Sequence, residues 1–209
     1  MIAVVDYGAG NIHSMARALT RVGASFEVTG DPEHVLRAAA VILPGVGAAA
    51  DTMRGLRDAR VDDPVLTAIE RGTPYLGICM GQEVLFDASE EDGETPCLGV
   101  LAGRVVRFPD GLQVPHMGWN QIHQIAESPL FDGIPQDTNV YFVHSYFARP
   151  DDQTVTAATT DYGVAFTSAV ARDNIFATQF HPEKSGPAGL RLYANFIKLA
   201  GQSPAAEFG

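Results

Sequence analysis

The sequence has few cysteines, few basic side chains and no long apolar run. Its 209 residues include only two cysteines, Cys79 and Cys97, too few for a disulfide scaffold, which favours a reducing compartment. The 14 lysines and arginines against 25 aspartates and glutamates give a formal net charge of -11, without the basic face that nucleic-acid binding requires. No run reaches the length of a membrane span, and the N-terminus lacks the basic region of a signal peptide. We therefore expect a soluble, cytoplasmic protein that binds neither nucleic acid nor membranes.

The composition and the apolar pattern favour a single α/β domain. With 46% hydrophobic and 19% charged residues, the chain can bury one full core. In the first half, short apolar runs alternate with glycine-rich turns and segments of helical spacing, which predicts a sheet with right-handed crossovers. The β-rich residues 98–180 indicate antiparallel strands added to the same domain. We expect one domain over residues 1–200 and a flexible tail over 201–209. The predicted strands include 2–5, 26–29, 41–43, 100–108, 114–125, 140–147, 154–160 and 175–179, and the predicted helices include 12–22, 61–71 and 189–199.

Residues 75–81 (YLGICMG) contain the first candidate catalytic residue, Cys79. A short apolar strand leads into a turn that has glycine on both sides of this cysteine, and a helix is predicted from Gln82 to Asp87. This is the pattern of a nucleophile elbow, with cysteine in the place of serine. The flanking glycines permit tight backbone geometry, and the helix N-terminus is expected to favour a thiolate. The alternative is a buried, inert cysteine at a strand end.

His181 is the candidate base for this nucleophile. A predicted strand ends at His181, Pro182 interrupts the strand, and Glu183 lies two residues on, so the carboxylate and the imidazole would point the same way. Glu183 could then hold one ring nitrogen while the other meets the sulfur. Taken alone, His181 also fits a surface histidine. The elbow at a strand end on the same side favours a catalytic pair, with His144 as the next candidate base.

Three glycine-rich turns follow predicted strands and should converge on the edge of the sheet where open α/β proteins place their active sites. In the turn at residues 44–47 (PGVG), the backbone N–H groups of Val46 and Gly47 suit a developing oxyanion, as does the amide of Met80. The alternative is an ordinary strand-to-helix turn. Neither a phosphate loop nor a dinucleotide fingerprint is complete, and no cluster has zinc spacing, so no cofactor and no metal are expected.

Six segments carry a family resemblance: DYGAGN at 6–11, PGVG at 44–47, GICMG at 77–81, PHMGWN at 115–120, YFVHSY at 141–146 and QFHPEKS at 179–185. Together they resemble the class I (triad) glutamine amidotransferases. Within that class they are similar to the glutaminase subunits of imidazole glycerol phosphate synthase in histidine biosynthesis. The similarity runs in order from residue 2 to about residue 199.

The resemblance implies a flavodoxin-like fold, an open and mostly parallel sheet with helices on both faces and extra antiparallel strands. It implies that L-glutamine is hydrolysed to glutamate and ammonia through a cysteinyl thioester. The ammonia would pass, within a heterodimer, to a (β/α)₈ cyclase subunit that makes imidazole glycerol phosphate and an aminoimidazole carboxamide ribotide. The implied residues are the triad Cys79, His181 and Glu183, the glutamine-binding residues Gly45, Gln82 or Glu83, His144, Ser145 and Tyr146, and the partner-facing residues Asn11, Trp119, Tyr141 and Lys184.

Two positions depart from the family pattern. Glu83 stands where the family usually has a glutamine that helps to hold the substrate's α-amino and α-carboxylate groups, so either Glu83 or, after a local shift, Gln82 serves there. Ala49 replaces the usual phenylalanine. Two other functions stay open. One is a stand-alone cysteine hydrolase or peptidase of the same fold class, which has no need of the aromatic segment 116–120. The other is a regulatory module that binds a partner or a flavin.

Overall fold

The structure is a computed structural model that describes residues 1–8 and 11–205. Two residues of the segment 6–11 and the last four of the predicted tail lie outside the described residues.

Within the described ranges the chain forms two sheets. The larger consists of β1 Ile2–Val5, β2 Phe26–Thr29, β3 Ala40–Gly45, β4 Tyr75–Cys79, β8 His116–Gln124, β9 Thr138–His144, β11 Thr156–Asp161, β12 Ala165–Arg172 and β13 Ile175–Thr178. The smaller consists of β5 Phe86–Ser89, β6 Thr95–Pro96, β7 Leu101–Arg107 and β10 Tyr146–Pro150. The helices are α1 Ile12–Arg21, α2 Pro32–Arg37, α3 Ala49–Asp58, α4 Asp62–Glu70, α5 Met80–Glu83 and α6 Gly186–Leu199, with 3-10 helices at Pro129–Phe131, Gln153–Val155 and Pro182–Lys184.

The strand order of the larger sheet is β2-β1-β3-β4-β13-β12-β11-β8-β9. The first five strands are parallel to one another, and the other four are each antiparallel to their neighbours. In the register of β3 and β4, Gly45 lies opposite Cys79, so the turn after β3 lies beside the end of β4. The expected α/β fold, with a large mixed sheet and added antiparallel strands, is confirmed.

Strand β1 is apolar at every position because both of its faces are covered. Ile2 and Val4 face a core that includes side chains of α1 and α6, whereas Ala3 and Val5 face a second core that includes side chains of α3 and α4. Side chains of a strand alternate between the two faces of a sheet, so a strand covered on both faces must be apolar throughout. The second core also takes in the smaller sheet, for example through Phe86.

The prediction of a helix over residues 82–87 is wrong. The helix after the elbow, α5, is four residues long, and strand β5 begins at Phe86. Phe86 and Ala88 are buried while Asp87 is exposed, which is the alternation of a strand rather than of a helix. The carboxylate of Asp87 accepts a 2.9 Å hydrogen bond from the backbone N–H of Gly103 and so ties β5 to β7.

Two further predicted strands end elsewhere than expected. The predicted strand 140–147 is divided at Ser145, because β9 belongs to the larger sheet and β10 to the smaller one. The predicted strand into His181 already ends at Thr178. Helices α2 and α3 and strand β12 were not predicted, whereas β1 and β2 have their predicted bounds and α1 differs by one residue.

Residues 201–205, the described part of the predicted tail, are hydrogen-bonded to the connection between α1 and β2. The side chain of Gln202 donates to the carbonyl of Ser25 at 2.9 Å and accepts from the N–H of the same residue at 2.8 Å. The N–H of Ala205 donates to the carbonyl of Val22 at 2.9 Å. No helix within the described ranges is both long enough and apolar enough to cross a membrane.

Candidate active site

Cys79 occupies a strained turn between β4 and α5. Its backbone has φ 55° and ψ -108°, a conformation that non-glycine residues adopt at an energetic cost and that nucleophile elbows share. A side chain at Gly77 would place Cβ 2.2 Å from the carbonyl oxygen of Gly81. A side chain at Gly81 would place Cβ 1.9 Å from the carbonyl oxygen of Leu43. The two glycines are therefore required by the close approach of backbone segments around the elbow.

A cavity of about 360 Å³ lies at the carboxyl ends of β3 and β4. Most of the residues predicted for the site line it, whereas Gly45, Gln82 and Glu183 are not among the lining residues. Among the described residues, no group of three or more His, Cys, Asp and Glu side chains is arranged to hold a metal ion. The predicted residues that line the cavity are Val46, Gly47, Cys79, Met80, Glu83, His144, Ser145, Tyr146 and His181.

His181 connects this cavity to Glu183. Its Nδ1 lies 2.8 Å from Oε1 of Glu183, and both side chains are buried. Because a carboxylate can only accept, Nδ1 carries the proton and Nε2 has a free lone pair. Nε2 is buried without a hydrogen-bond partner among the described atoms. The expected extended segment is wrong here, since the 3-10 helix Pro182–Lys184 brings Glu183 back to the ring.

The environment of Cys79 favours the protonated thiol. Burial raises the pKa of Cys79 well above its usual value, the nearby Glu83 raises it further, and a hydrogen bond from the Met80 N–H opposes both effects. Helix α5 has only four residues, so its dipole is small. The Met80 N–H favours a thiolate, as expected of the helix N-terminus, but burial opposes it more strongly, so a base is needed to remove the proton during reaction.

Glu83, rather than Gln82, lies at the cavity. The residue is 2% exposed, and its Oε1 accepts a 2.7 Å hydrogen bond from Nε2 of Gln179. Burial raises the pKa of Glu83 to about 8. The Gln82 side chain is also buried, but it does not line the cavity. Gln179 belongs to the segment 179–185 that carries the resemblance, but no role of its own was predicted for it, because its contact with Glu83 joins residues 96 positions apart.

The glycine-rich turn after β3 packs against the elbow. A side chain at Gly45 would place Cβ 2.3 Å from Cβ of Met80, which explains the glycine although it lies behind the cavity wall. Gly47 has φ +89°, a conformation that favours glycine, and the space around it is open. Glu91 also lines the cavity and was not predicted. Its Oε2 accepts a 2.9 Å hydrogen bond from the N–H of Ala49 at the start of α3.

Three of the four predicted partner-facing residues are close together on the surface. Trp119 is 59% exposed and lies opposite Tyr141 in the register of β8 and β9, with ring centroids 6.2 Å apart. Nζ of Lys184 lies 5.5 Å from the centre of the Tyr141 ring. Met117, 62% exposed two residues before Trp119, was not predicted. We call Met117, Trp119, Tyr141 and Lys184 the aromatic patch. Asn11 is half-buried at the N-cap of α1.

Comparisons with known proteins agree on one family. The family model of class-I glutamine amidotransferases matches residues 3–199. The HisH subunit of imidazole glycerol phosphate synthase from Dehalococcoides mccartyi is 56% identical over 200 residues, covering 96% of this chain and 98% of that protein. The subunit of the same name from Herpetosiphon aurantiacus is 52% identical over 200 residues, covering 96% and 95%. A crystal structure of a glutamine amidotransferase is 25% identical, with a TM-score of 0.76 over 97% of this chain and 100% of that one. With this fold and this site, the chain belongs to the class-I glutamine amidotransferase family.

Proposed function

We propose that this chain is the glutaminase subunit of imidazole glycerol phosphate synthase and that it hydrolyses L-glutamine with Cys79, His181 and Glu183 as its catalytic triad. The observation that carries the proposal is the position of His181. One of its ring nitrogens meets Glu183, and its ring lines the same cavity as the Cys79 thiol. Nucleophile, base and orienting carboxylate are the parts that thioester formation needs. The relatives named HisH, 56% and 52% identical, support the assignment to the synthase.

In the first half-reaction, Nε2 of His181 takes the thiol proton while Sγ of Cys79 attacks the amide carbon of glutamine. The carbonyl oxygen becomes an oxyanion, which the backbone N–H groups of Val46, Gly47 and Met80 stabilise. His181 then gives its proton to the amide nitrogen, the C–N bond breaks, and ammonia leaves. Because burial raises the pKa of Cys79, we expect the transfer of its proton to His181 to accompany the attack.

In the second half-reaction, water hydrolyses the glutamyl thioester. His181 takes a proton from the water as its oxygen attacks the thioester carbon, and the same oxyanion donors stabilise the second tetrahedral intermediate. The C–S bond breaks, the sulfur recovers a proton from His181, and glutamate is released. Throughout both halves Glu183 holds the imidazole in one tautomer and stabilises its protonated form.

The substrate would lie between the elbow and the wall formed by His144, Ser145 and Tyr146. Glu91 presents acceptor oxygens that suit the α-ammonium group of glutamine, and Glu83 lies in the same cavity. Because burial raises the pKa of Glu83 to about 8, this side chain is largely uncharged at neutral pH. An uncharged carboxyl group offers an O–H donor on one oxygen and an acceptor on the other, in the places where a carboxamide has its NH2 donor and its carbonyl acceptor, and it does not repel the α-carboxylate.

The ammonia would pass to a separate cyclase subunit, a (β/α)₈ barrel that forms a heterodimer with this chain and makes imidazole glycerol phosphate and an aminoimidazole carboxamide ribotide. The aromatic patch supports a protein partner, because large exposed apolar side chains beside a cation are typical of interfaces. A stand-alone cysteine hydrolase or peptidase has no use for this patch, and the names of the relatives do not favour it.

The test is glutamate release by the chain alone and with the cyclase, with and without an analogue of the cyclase substrate. We expect very low activity alone and stimulation of at least about 100-fold in the liganded complex, the effect of restoring one oxyanion donor. Gly47 allows the peptide plane of the turn to adopt more than one orientation, and a partner can shift the population. The complex with Cys79→Ser is the blank. Full-speed hydrolysis by the isolated chain, unchanged by the cyclase, would overturn the coupling.

A further inference from the structure

Two buried histidines form a hydrogen-bonded pair behind the cavity wall. His116 of β8 and His144 of β9 lie opposite each other in the sheet, and they are 3% and 6% exposed. Nδ1 of His116 lies 3.0 Å from Nε2 of His144. His144 lines the cavity, whereas His116 does not. The mechanism above gives no role to His116, although burying a polar ring is costly unless its nitrogens are hydrogen-bonded.

The histidine pair belongs to a series of hydrogen bonds that runs from the carbonyl of Tyr146 to the side chain of Asn120. The groups at its two ends determine which atom donates in each hydrogen bond. Nδ1 of His144 lies 2.7 Å from the carbonyl oxygen of Tyr146, which can only accept, so His144 carries its proton on Nδ1. Its Nε2 is therefore an acceptor, and Nδ1 of His116 must be the donor. Nε2 of His116 then accepts at 3.3 Å from Nδ2 of Asn120, and the same amide donates to the carbonyl of Asp161 at 2.9 Å.

The rings are also held in place by packing. His116 stacks against Phe142 and Tyr162, with ring centroids 4.8 Å and 4.0 Å apart. Burial lowers the pKa of His116 to about 4. Burial lowers the pKa of His144 to about 3, and the nearby rings of His116 and His181 contribute to this decrease. Both rings are therefore neutral at physiological pH, as the hydrogen-bond directions require. A second proton on Nε2 of His144 would face the N–H of His116.

The Ser145–Tyr146 segment of the wall lies where the chain changes sheets, and Tyr146 is paired with Arg107 of β7. Ser145 lies between β9 and β10, where the chain leaves the larger sheet for the smaller one. Its carbonyl accepts from the N–H of Phe108 at 3.2 Å. The next carbonyl, that of Tyr146, accepts from His144. The hydrogen bond from His144 therefore helps to determine where Ser145 and Tyr146 meet the cavity.

We propose that His116 is a positioning residue for glutamine, because it fixes the tautomer of His144 and thereby holds the Ser145–Tyr146 segment against the cavity. The proposal rests on the proposed function and adds to it a residue that the substrate never touches. The effect belongs to substrate binding, since His116 contacts neither the thiol nor the base. Loss of His116 should therefore raise KM for glutamine more than it lowers kcat.

The first test needs no variant. NMR of the imidazole nitrogens in histidine-labelled protein reports which nitrogen of each neutral ring carries the proton, and it is independent of turnover. We expect both His116 and His144 to be protonated on Nδ1 and neutral down to about pH 5. A His144 ring protonated on Nε2 would overturn the proposal even if glutamine hydrolysis is normal.

The second test compares variants in the complex with the cyclase. His116→Phe keeps a ring for stacking but leaves Nε2 of His144 without its donor, and we expect KM to rise about 10-fold with kcat changed less than about 3-fold. His116→Asn can still donate from the position of Nδ1 and should restore most of the affinity. His123→Asn, an exposed histidine on the same strand, is the matched control.

Glutamine binding to the same variants in a Cys79→Ser background, measured by calorimetry, separates the positioning role from catalysis. Weaker binding with His116→Phe and recovery with His116→Asn support the proposal. Equal binding by folded His116→Phe would overturn it. Hydrolysis that survives Cys79→Ser would instead contradict the proposed function and leave the tautomer result standing.

Discussion

The backbone N–H of His181 donates a 2.9 Å hydrogen bond to the carbonyl of Tyr141, whose side chain belongs to the aromatic patch. The side chain of Ser185 is hydrogen-bonded to the backbone of both residues. Its Oγ accepts from the N–H of Tyr141 at 3.0 Å and donates to the carbonyl of His181 at 2.7 Å. The proposed base is thus attached directly to the strand that presents the patch, so a partner that shifts Tyr141 acts on the position of His181.

The first prediction concerns this attachment. We expect Trp119→Ala, Tyr141→Ala and Lys184→Ala each to reduce the stimulation of glutaminase activity by the cyclase, because truncation of central interface side chains commonly costs more than 1 kcal/mol, or several-fold in affinity. The low activity of the isolated chain should change much less. Ile125→Ala, which removes another exposed apolar side chain outside the patch, is the control. Equal stimulation of all four variants would contradict the proposed interface.

The second prediction distinguishes the two cysteines. Cys79→Ala and Cys79→Ser should each lower glutamine hydrolysis by more than about 1000-fold, since loss of a nucleophile removes the covalent route. Partner binding should persist. Cys97→Ser is the matched control, because Cys97 is half-buried away from the cavity with Sγ 3.5 Å from the carbonyl of Thr95. A large loss with Cys97→Ser and little with Cys79→Ser would reassign the nucleophile.

The third prediction concerns the pair of His181 and Glu183. His181→Asn should be nearly as damaging as loss of the thiol, because no other group accepts the proton. Glu183→Gln keeps the shape of the partner and loses only its charge, so we expect it to be about 100-fold less damaging. The measurement is kcat for glutamate release in the complex. If both variants turn over at the normal rate, the base lies elsewhere, and His144 is the next candidate.

The fourth prediction concerns pH and Glu83. Its pKa is raised from 4.5 to about 8 in the folded protein, so between these values the unfolded chain has released a proton that the folded protein retains. This group therefore makes the free energy of unfolding fall as pH rises from about 5 to about 8. Glu83→Gln cannot ionise, and its melting temperature relative to the parent chain should increase steadily over that interval.

Activity should follow the same ionisation. Above about pH 8 the parent chain should lose affinity for glutamine, because an ionised Glu83 repels the α-carboxylate, whereas Glu83→Gln should lack this decline. Glu90→Gln, on an exposed carboxylate a few residues away, controls for the change of net charge. If the melting temperatures of the parent chain and Glu83→Gln differ by the same amount at every pH, the raised pKa is contradicted and Glu83 is ionised in the folded protein.

The parts that the sequence predicts well are those decided by local pattern. Strands β1 and β2 and helix α1 follow directly from short apolar runs and helical spacing. Residues Cys79 and His181 were identified because a sharp turn and a strand end put chemically unusual side chains at predictable places. The pairing of Gly45 with Cys79 follows from the rule that parallel strands end at one edge.

The parts that were missed depend on distant segments. The run at 84–89 is apolar enough for a helix, and only its pairing with β7 makes Phe86–Ser89 a strand. Glu91 lies in an acidic loop, and its place at the cavity is decided by the N–H of Ala49, 42 residues away. Gln179 and His116 lie in the segments 179–185 and 115–120, but their contacts with Glu83 and His144 join distant parts of the chain, which no window of local sequence contains.

The pairing of β4 with β13 has a consequence for biosynthesis on the ribosome. The strand that ends at Cys79 has β3 on one side, but its other neighbour, Ile175–Thr178, is made roughly 100 residues later. Until then β4 is an exposed apolar edge strand of an incomplete sheet. The smaller sheet is likewise incomplete until β10 has been made and can pair with β7. Contacts of such long sequence separation form slowly, and open edges invite pairing between chains. Nascent chains truncated before Thr178 should therefore aggregate, because the elbow strand is paired on both sides only after Ile175–Thr178 has been made.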